Sequence, residues 1–121
     1  MGYLLDETGF LHLIENLKKS YRIFAPVLKK GQGRHLDTDV VLYDEVNEAG
    51  EIELSKKSDY AFKEAMTPLS ETLFFFTEQE TKLADIDERP VLVFLRSCDL
   101  HALRRQDAIY LQNGREKDPF Y

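Results

Sequence analysis

Pro90-Val91-Leu92-Val93-Phe94-Leu95-Arg96-Ser97-Cys98-Asp99-Leu100-His101-Ala102-Leu103-Arg104-Arg105 changes its hydrophobic period in mid-course. Val91 to Leu95 is an unbroken apolar run of β-formers, the pattern of a buried strand covered on both faces. Pro90 can open such a strand but could not stand in its middle, having no N–H to give a neighbour. Asp99 stands where a helix N-cap belongs, because its carboxylate can accept a hydrogen bond from the backbone N–H of residue 101 or 102. Leu100 to Gln112 then reads as helix. Asn113-Gly114 is its stop, since both residues tolerate the left-handed conformation. Strand, sharp turn and helix in this order are the parts of an α/β fold.

Cys98, the chain's single cysteine, falls at that turn. The carboxyl end of a strand in an α/β sheet is where ligands bind. The helix dipole and Arg96 would both favour thiolate over thiol there, and a thiolate is what a metal or a disulfide partner needs. A lone cysteine is more often a small buried hydrophobe. The polar neighbours Ser97 and Asp99 favour a functional thiol.

A chain of 121 residues is read as one domain, and 43% apolar residues suffice for a core. The formal net charge of −6 argues against nucleic acid as the main partner. No apolar run approaches a membrane span, and Met1 to Asp6 has no signal-peptide pattern. One cysteine gives no internal disulfide, so a cytoplasmic setting is expected. The ending Asp118-Pro119-Phe120-Tyr121 carries two aromatics expected to be exposed and no polar tail, which suggests that more protein follows residue 121.

Upstream, Phe10, Leu13, Ile14, Leu17 and Tyr21 follow helical spacing, which predicts an amphipathic helix over 9–21 with Thr8 as N-cap and Glu15 paired with Lys19. Arg22 to Val27 reads as a strand ending near Pro26, and Thr38 to Val46 as a second, antiparallel to it. Between them Lys29 to Arg34 is a solvated basic loop; Gly31-x-Gly33 lacks the third glycine and following helix of a dinucleotide fingerprint. Glu51 to Leu54 suits a short edge strand. A short helix from Asp59 should end before Pro68, which restricts its predecessor. Phe74-Phe75-Phe76 reads as a buried strand used for core packing rather than as a flavin platform, and Thr77 to Glu88 as a surface loop or weak edge strand. The expectation is a single α/β domain with a mixed sheet of about five strands and two or three helices. The early strands lie too close together for a purely parallel sheet.

No catalytic constellation is complete. Cys98 and His101, three apart, could form a thiolate–imidazolium pair in a thiol-dependent enzyme, but no third orienting group is evident. Cys98, Asp99 and His101 could belong to a zinc site, yet zinc takes four ligands and only His12 and His35 remain as further histidines. An iron–sulfur cluster also needs more thiolates than one. Whatever Cys98 holds, its co-ligands must come from outside these residues.

The segment Val91-Leu92-Val93-Phe94-Leu95-Arg96-Ser97-Cys98-Asp99-Leu100-His101-Ala102-Leu103 resembles the VLxFxRPCDxHAL signature of the anaerobic sulfite reductase alpha-subunit family, related forms of which occur in sulfhydrogenase beta subunits. Tyr21 to Pro26, Gly33-Arg34 with Asp37-Thr38-Asp39, Lys57-Ser58, Lys63-Glu64-Ala65, Pro68 to Phe74, Asp107 with Ile109, Asn113-Gly114 and Asp118-Pro119 continue the likeness in order. The resemblance implies that residues 1–121 are the N-terminal domain of a cytoplasmic electron-transfer subunit, itself not a catalyst, which scaffolds a cluster region and docks partners. In that family, cysteines further along bind 4Fe-4S clusters that pass electrons from a flavin- and nicotinamide-using subunit to a sirohaem subunit reducing sulfite to sulfide. The alternative is the sulfhydrogenase beta subunit, serving a hydrogenase. By that likeness Cys98 supplies one thiolate ligand of a 4Fe-4S cluster; on electrostatic grounds Arg96, and behind it Arg104, could offset the cluster's negative charge. Ser97 replaces the usual proline, and every further cysteine is absent, so this chain alone should hold no cluster.

Overall fold

The computed structural model describes residues 2–35, 37–67, 70–114, 116–118 and 121. Its elements in order are helix α1 (Glu7–Leu17), strands β1 (Arg22–Lys29) and β2 (Val40–Glu45), a 3-10 turn (Ala49–Glu51), helix α2 (Lys63–Met66), strands β3 (Phe74–Phe76), β4 (Thr81–Leu83) and β5 (Val91–Val93), and helix α3 (Ser97–Asp107), which widens into a π-helical turn (Ala108–Gln112). The mixed α/β reading holds. β2, β1 and β5 form one sheet in that order, antiparallel between β2 and β1 and parallel between β1 and β5, while β3 and β4 make a separate antiparallel pair.

The Asp6 carboxylate caps α1, accepting from the Gly9 N–H at 2.7 Å. Thr8 therefore lies inside the helix rather than at its cap, and the helix ends at Leu17, four residues earlier than the apolar spacing suggests. Ile14 is fully buried, and Phe10 and Leu17 pack beside it, but Leu13 stands on the wet flank. Lys18 takes Glu15 at 3.3 Å, leaving Lys19 to the Asn16 side chain. Ile14 docks on Ile23, Ala25 and Val27 of β1, with Val46, Ala49 and Leu92 completing this core. Phe10 of α1 meets Phe94 edge to ring at 6.4 Å.

β1 runs straight through Pro26. The Pro26 carbonyl accepts from the Glu53 N–H at 2.7 Å, so its missing N–H faces away from β2 and breaks no rung of that ladder. The Glu51 to Leu54 strand shrinks to a single bridge between Ile52 and Val27. Gly31, with φ +65°, makes the left-handed step of the β1–β2 connection, and its N–H is held by Asp39 at 3.0 Å. Across β2, Asp59 closes the far edge: its carboxylate takes the Val41 N–H at 2.8 Å and its own N–H returns to the Val41 carbonyl at 2.7 Å. The short helix predicted from Asp59 begins only at Lys63. Pro68, named as its stop, lies outside the described residues, as do Leu69, Pro119 and Phe120 of the quoted motifs.

Two expectations of burial fail. β5 is the edge strand of its sheet, with Val91 exposed and Leu92 and Val93 half-buried, so it is not covered on both faces. Phe74, Phe75 and Phe76 form a strand as expected, but all three are exposed. Among the described residues the pair they make with β4 is a sheet of its own, and an aromatic run encodes a pleated strand without saying which face is covered. Tyr121 departs in the other direction. Its ring stacks on Tyr110 at 4.8 Å and its hydroxyl donates to Asp107 at 2.5 Å, so it is half-buried rather than free.

Candidate functional site

Parallel pairing carries β5 one residue beyond its formal end, where the Phe94 N–H donates to the Phe24 carbonyl at 2.9 Å. The chain then turns at Leu95 and Arg96. Arg96, extended at φ −78° and ψ 156°, is the true N-cap, and its carbonyl accepts from the Asp99 N–H at 3.0 Å. Asp99 is thus the third residue of α3 and not its cap; helix geometry starts two residues before the carboxylate that could have capped it. It still places negative charge in the first turn, where the macrodipole favours it. Cys98 is the second residue of the helix and its thiol is free and exposed.

The sheet brings two residues to this corner that sequence reasoning missed. Tyr43 of β2 is buried, and its phenol is pushed up, by burial first and then by the negative charge of Asp99. Arg96 and a hydrogen bond from the Ser58 side chain act in the opposite direction, and Cys98 is near enough to act on the same phenol. The head of α3 carries Arg96, Cys98 and Asp99, whose charges reach the Tyr43 phenol. Tyr43 ends the apolar run Val40–Tyr43 of β2, and nothing in that run signals its relation to α3.

His101, one helical turn beyond Cys98, is exposed, as are His12 on α1 and His35 in the β1–β2 connection. Arg104 lies about 9 Å further along the helix than Cys98 and about 120° round it. Arg96 immediately precedes the helix that carries the thiol. No group of three or more His, Cys, Asp or Glu side chains suited to a metal ion occurs among the described residues. With one cysteine in the whole sequence, the residues present do not make a 4Fe-4S site by themselves. They offer one accessible thiol at a helix start.

On the sheet face away from α1 runs an open groove of about 1200 Å³ between β1 and the β3–β4 pair. An ion network lies along it. Arg22 forks onto Glu45, with Nη2 to Oε2 at 2.8 Å and Nε to Oε1 at 3.2 Å, and approaches Asp87 at 3.6 Å. Arg89 in turn clasps Asp87 at 2.7 Å. The guanidinium of Arg22 also covers the Phe24 ring at 5.3 Å. The network ties β1 and β2 to the segment leading into β5, and so to the strand that delivers Cys98.

Arg89, through its side-chain and backbone hydrogen bonds, holds the Asp87 carboxyl down to about 2, with Arg22 adding to the effect. A depressed carboxylate stabilises the fold above its unfolded value and loses that contribution as pH falls toward its folded one. Asp87→Asn should therefore lower the urea midpoint at pH 7, with the gap from the parent closing between about pH 4 and pH 2. Urea titrations of both proteins across that window check it; an undiminished gap at pH 2 would place the effect of the substitution elsewhere.

No helix among the described residues is long and apolar enough to cross a membrane. No family model matches the chain, and no solved structure matches it. Among curated proteins it is similar to Sulfhydrogenase 2 subunit beta of Pyrococcus furiosus, 28% identical over 118 residues. The match takes in 97% of this chain and 32% of the relative, so the chain spans about a third of the length of the curated protein it matches. The likeness supports a distant relationship to a sulfhydrogenase beta subunit; the match itself does not extend to sulfite reductases.

Proposed function

We propose that this chain is a scaffold and docking domain of an iron–sulfur electron-transfer subunit of the sulfhydrogenase type, working in the cytoplasm. The match of nearly the whole chain to a sulfhydrogenase beta subunit carries this reading. The exposed Cys98 thiol, presented by a helix start and flanked by Arg96, agrees with it. Cys98 would give one thiolate to a 4Fe-4S site completed by ligands outside residues 1–121. Within this chain, the sheet and the Arg22–Glu45–Asp87–Arg89 network hold the β5–α3 junction in place, and Arg96 sets positive charge beside the thiol.

A second reading, the alpha subunit of an anaerobic sulfite reductase with flavin/nicotinamide and sirohaem partner subunits, rests on the segment from Val91 to Leu103 and the motifs that continue its likeness. A thiol enzyme using Cys98 and His101 is a weaker reading, because the sequence gives the pair no evident orienting group and no oxyanion site.

The test is anoxic isolation of the protein with its natural companions, followed by assay of iron, acid-labile sulfide, hydrogen-dependent viologen reduction and sulfite reduction. The sulfhydrogenase reading expects iron, sulfide and hydrogen-linked activity. Iron with sulfite-dependent activity alone moves the assignment to the second reading. Absence of iron and of both activities refutes the two together.

A further inference from the structure

Phe74 stands opposite Leu83 and Phe76 opposite Thr81, so these four side chains share one face of the β3–β4 pair. The Phe74 and Phe76 rings lie 6.0 Å apart and, with Leu83, are 50%, 75% and 76% exposed. They present on the order of 300 Å² of contiguous apolar surface, the size at which a patch on a soluble protein is often functional. Phe75 and Lys82 take the opposite face, and Phe75 lines the groove. The turn is well made: the Thr77 hydroxyl oxygen accepts from the Gln79 and Glu80 N–H groups, and the Thr77 N–H donates to the Glu80 carbonyl at 2.8 Å. Yet among the described residues β3 and β4 belong to no larger sheet, and a two-stranded pair is marginal in water until one face is covered.

The charge around the patch selects what covers it. From Glu71 to Arg89 there are six carboxylates against two cations, Lys82 and Arg89, and Arg89 is taken by Asp87. Glu78 and Glu80 sit in the turn at the end of the apolar face. Anionic lipid and nucleic acid are repelled by such a rim. A second copy of this chain would bring the same rim and a net charge of −6. We infer that the Phe74/Phe76/Leu83 face is a docking surface for an adjoining protein that offers an apolar centre ringed by lysine and arginine. The inference rests on the reading of this chain as part of a larger electron-transfer assembly, and it supplies the surface by which that assembly is held.

The test compares amide hydrogen exchange in the protein isolated anoxically with its natural companions and in the same protein alone. Phe74–Phe76 and Thr81–Leu83 are expected to exchange at least tenfold more slowly in the assembly. Phe76→Ser with Leu83→Ser, and separately Glu78→Lys with Glu80→Lys, should each weaken the assembly at least tenfold. Leu54→Ser, which removes an equally exposed apolar side chain elsewhere, should not. Equal exchange rates in the two samples overturn the inference. So do protection arising in a dimer of this chain alone, and binding of the patch to phosphatidylglycerol vesicles. Iron analysis of the same assembly separates the two claims. Protected amides in an iron-free assembly leave the docking surface standing and remove the electron-transfer reading. An iron-bearing assembly with a freely exchanging β3–β4 pair does the reverse.

Discussion

Phe62→Ala is expected to lower the unfolding free energy by about 3–5 kcal/mol, a large share of the roughly 5–15 kcal/mol that holds a domain folded. Phe62 is 1% exposed and is among the largest fully buried side chains among the described residues. It precedes α2, a helix of four residues that contributes little by itself, and its ring meets Tyr43 edge to face at 6.4 Å. Tyr43 is paired across the ladder with Pro26 of the central strand. Phe62 is thus the core residue of the sheet face away from α1, as Ile14 is of the other face. A truncated ring leaves a cavity that a short helix and a proline-bearing strand cannot collapse to fill. Urea unfolding of parent and variant measures the loss; a change below about 1 kcal/mol would show that the site closes over the missing ring. Phe62→Leu, which keeps most of the apolar volume, should lose distinctly less. The effect has a functional side. The ring that Phe62 packs against is that of Tyr43, whose phenol feels the charge of Asp99 at the head of α3.

Much of this arrangement is legible in the residues. The Phe10, Ile14, Leu17 stripe specifies α1 and its buried side, because only a 3.6-residue period lines those three up. The β1–β2 hairpin follows from two β-rich runs around a glycine-bearing loop, and Gly31 does take the left-handed step there. The β5–α3 turn follows from the change of period around Arg96. What escapes depends on competition or on distance. Asp6 and Thr8 both suit an N-cap, and it is the Asp6 carboxylate that takes the Gly9 N–H. Asp99 and Arg96 compete in the same way; the parallel rung from Phe94 to Phe24 fixes where the strand ends and forces the helix to begin early. The exposure of the three phenylalanines is the plainest case. An apolar strand declares that something covers it, and the cover need not lie within the same chain. The pairing of Arg22 with Glu45, 23 residues away, and the meeting of Tyr43 with Asp99 are long-range events with no local signal.

Cys98→Ala, made in the protein as isolated with its companions, is expected to remove the iron and acid-labile sulfide of one cluster, about four of each, while leaving the fold of this chain unchanged. The two halves of the expectation come from one fact. Cys98 is exposed at the second position of α3 and packs into no core, so its loss should shift the urea midpoint by an amount equivalent to about 0.5 kcal/mol or less. A structural cysteine would behave in the opposite way, costing stability and sparing iron. Arg96→Ala extends the test. A cation beside a thiolate-ligated centre favours its reduced, more negative form, so its removal should lower the reduction potential without unfolding the domain. Its side chain makes no capping bond to α3, which leaves the helix start intact in the variant. Full iron in Cys98→Ala would detach the thiol from any cluster and leave the family likeness untouched. Rapid alkylation of Cys98 by iodoacetamide in the parent assembly would then mark a free, reactive thiol, while protection there with iron retained would place Cys98 under a docked partner. The ligand role alone requires that iron be lost and stability kept in the same variant.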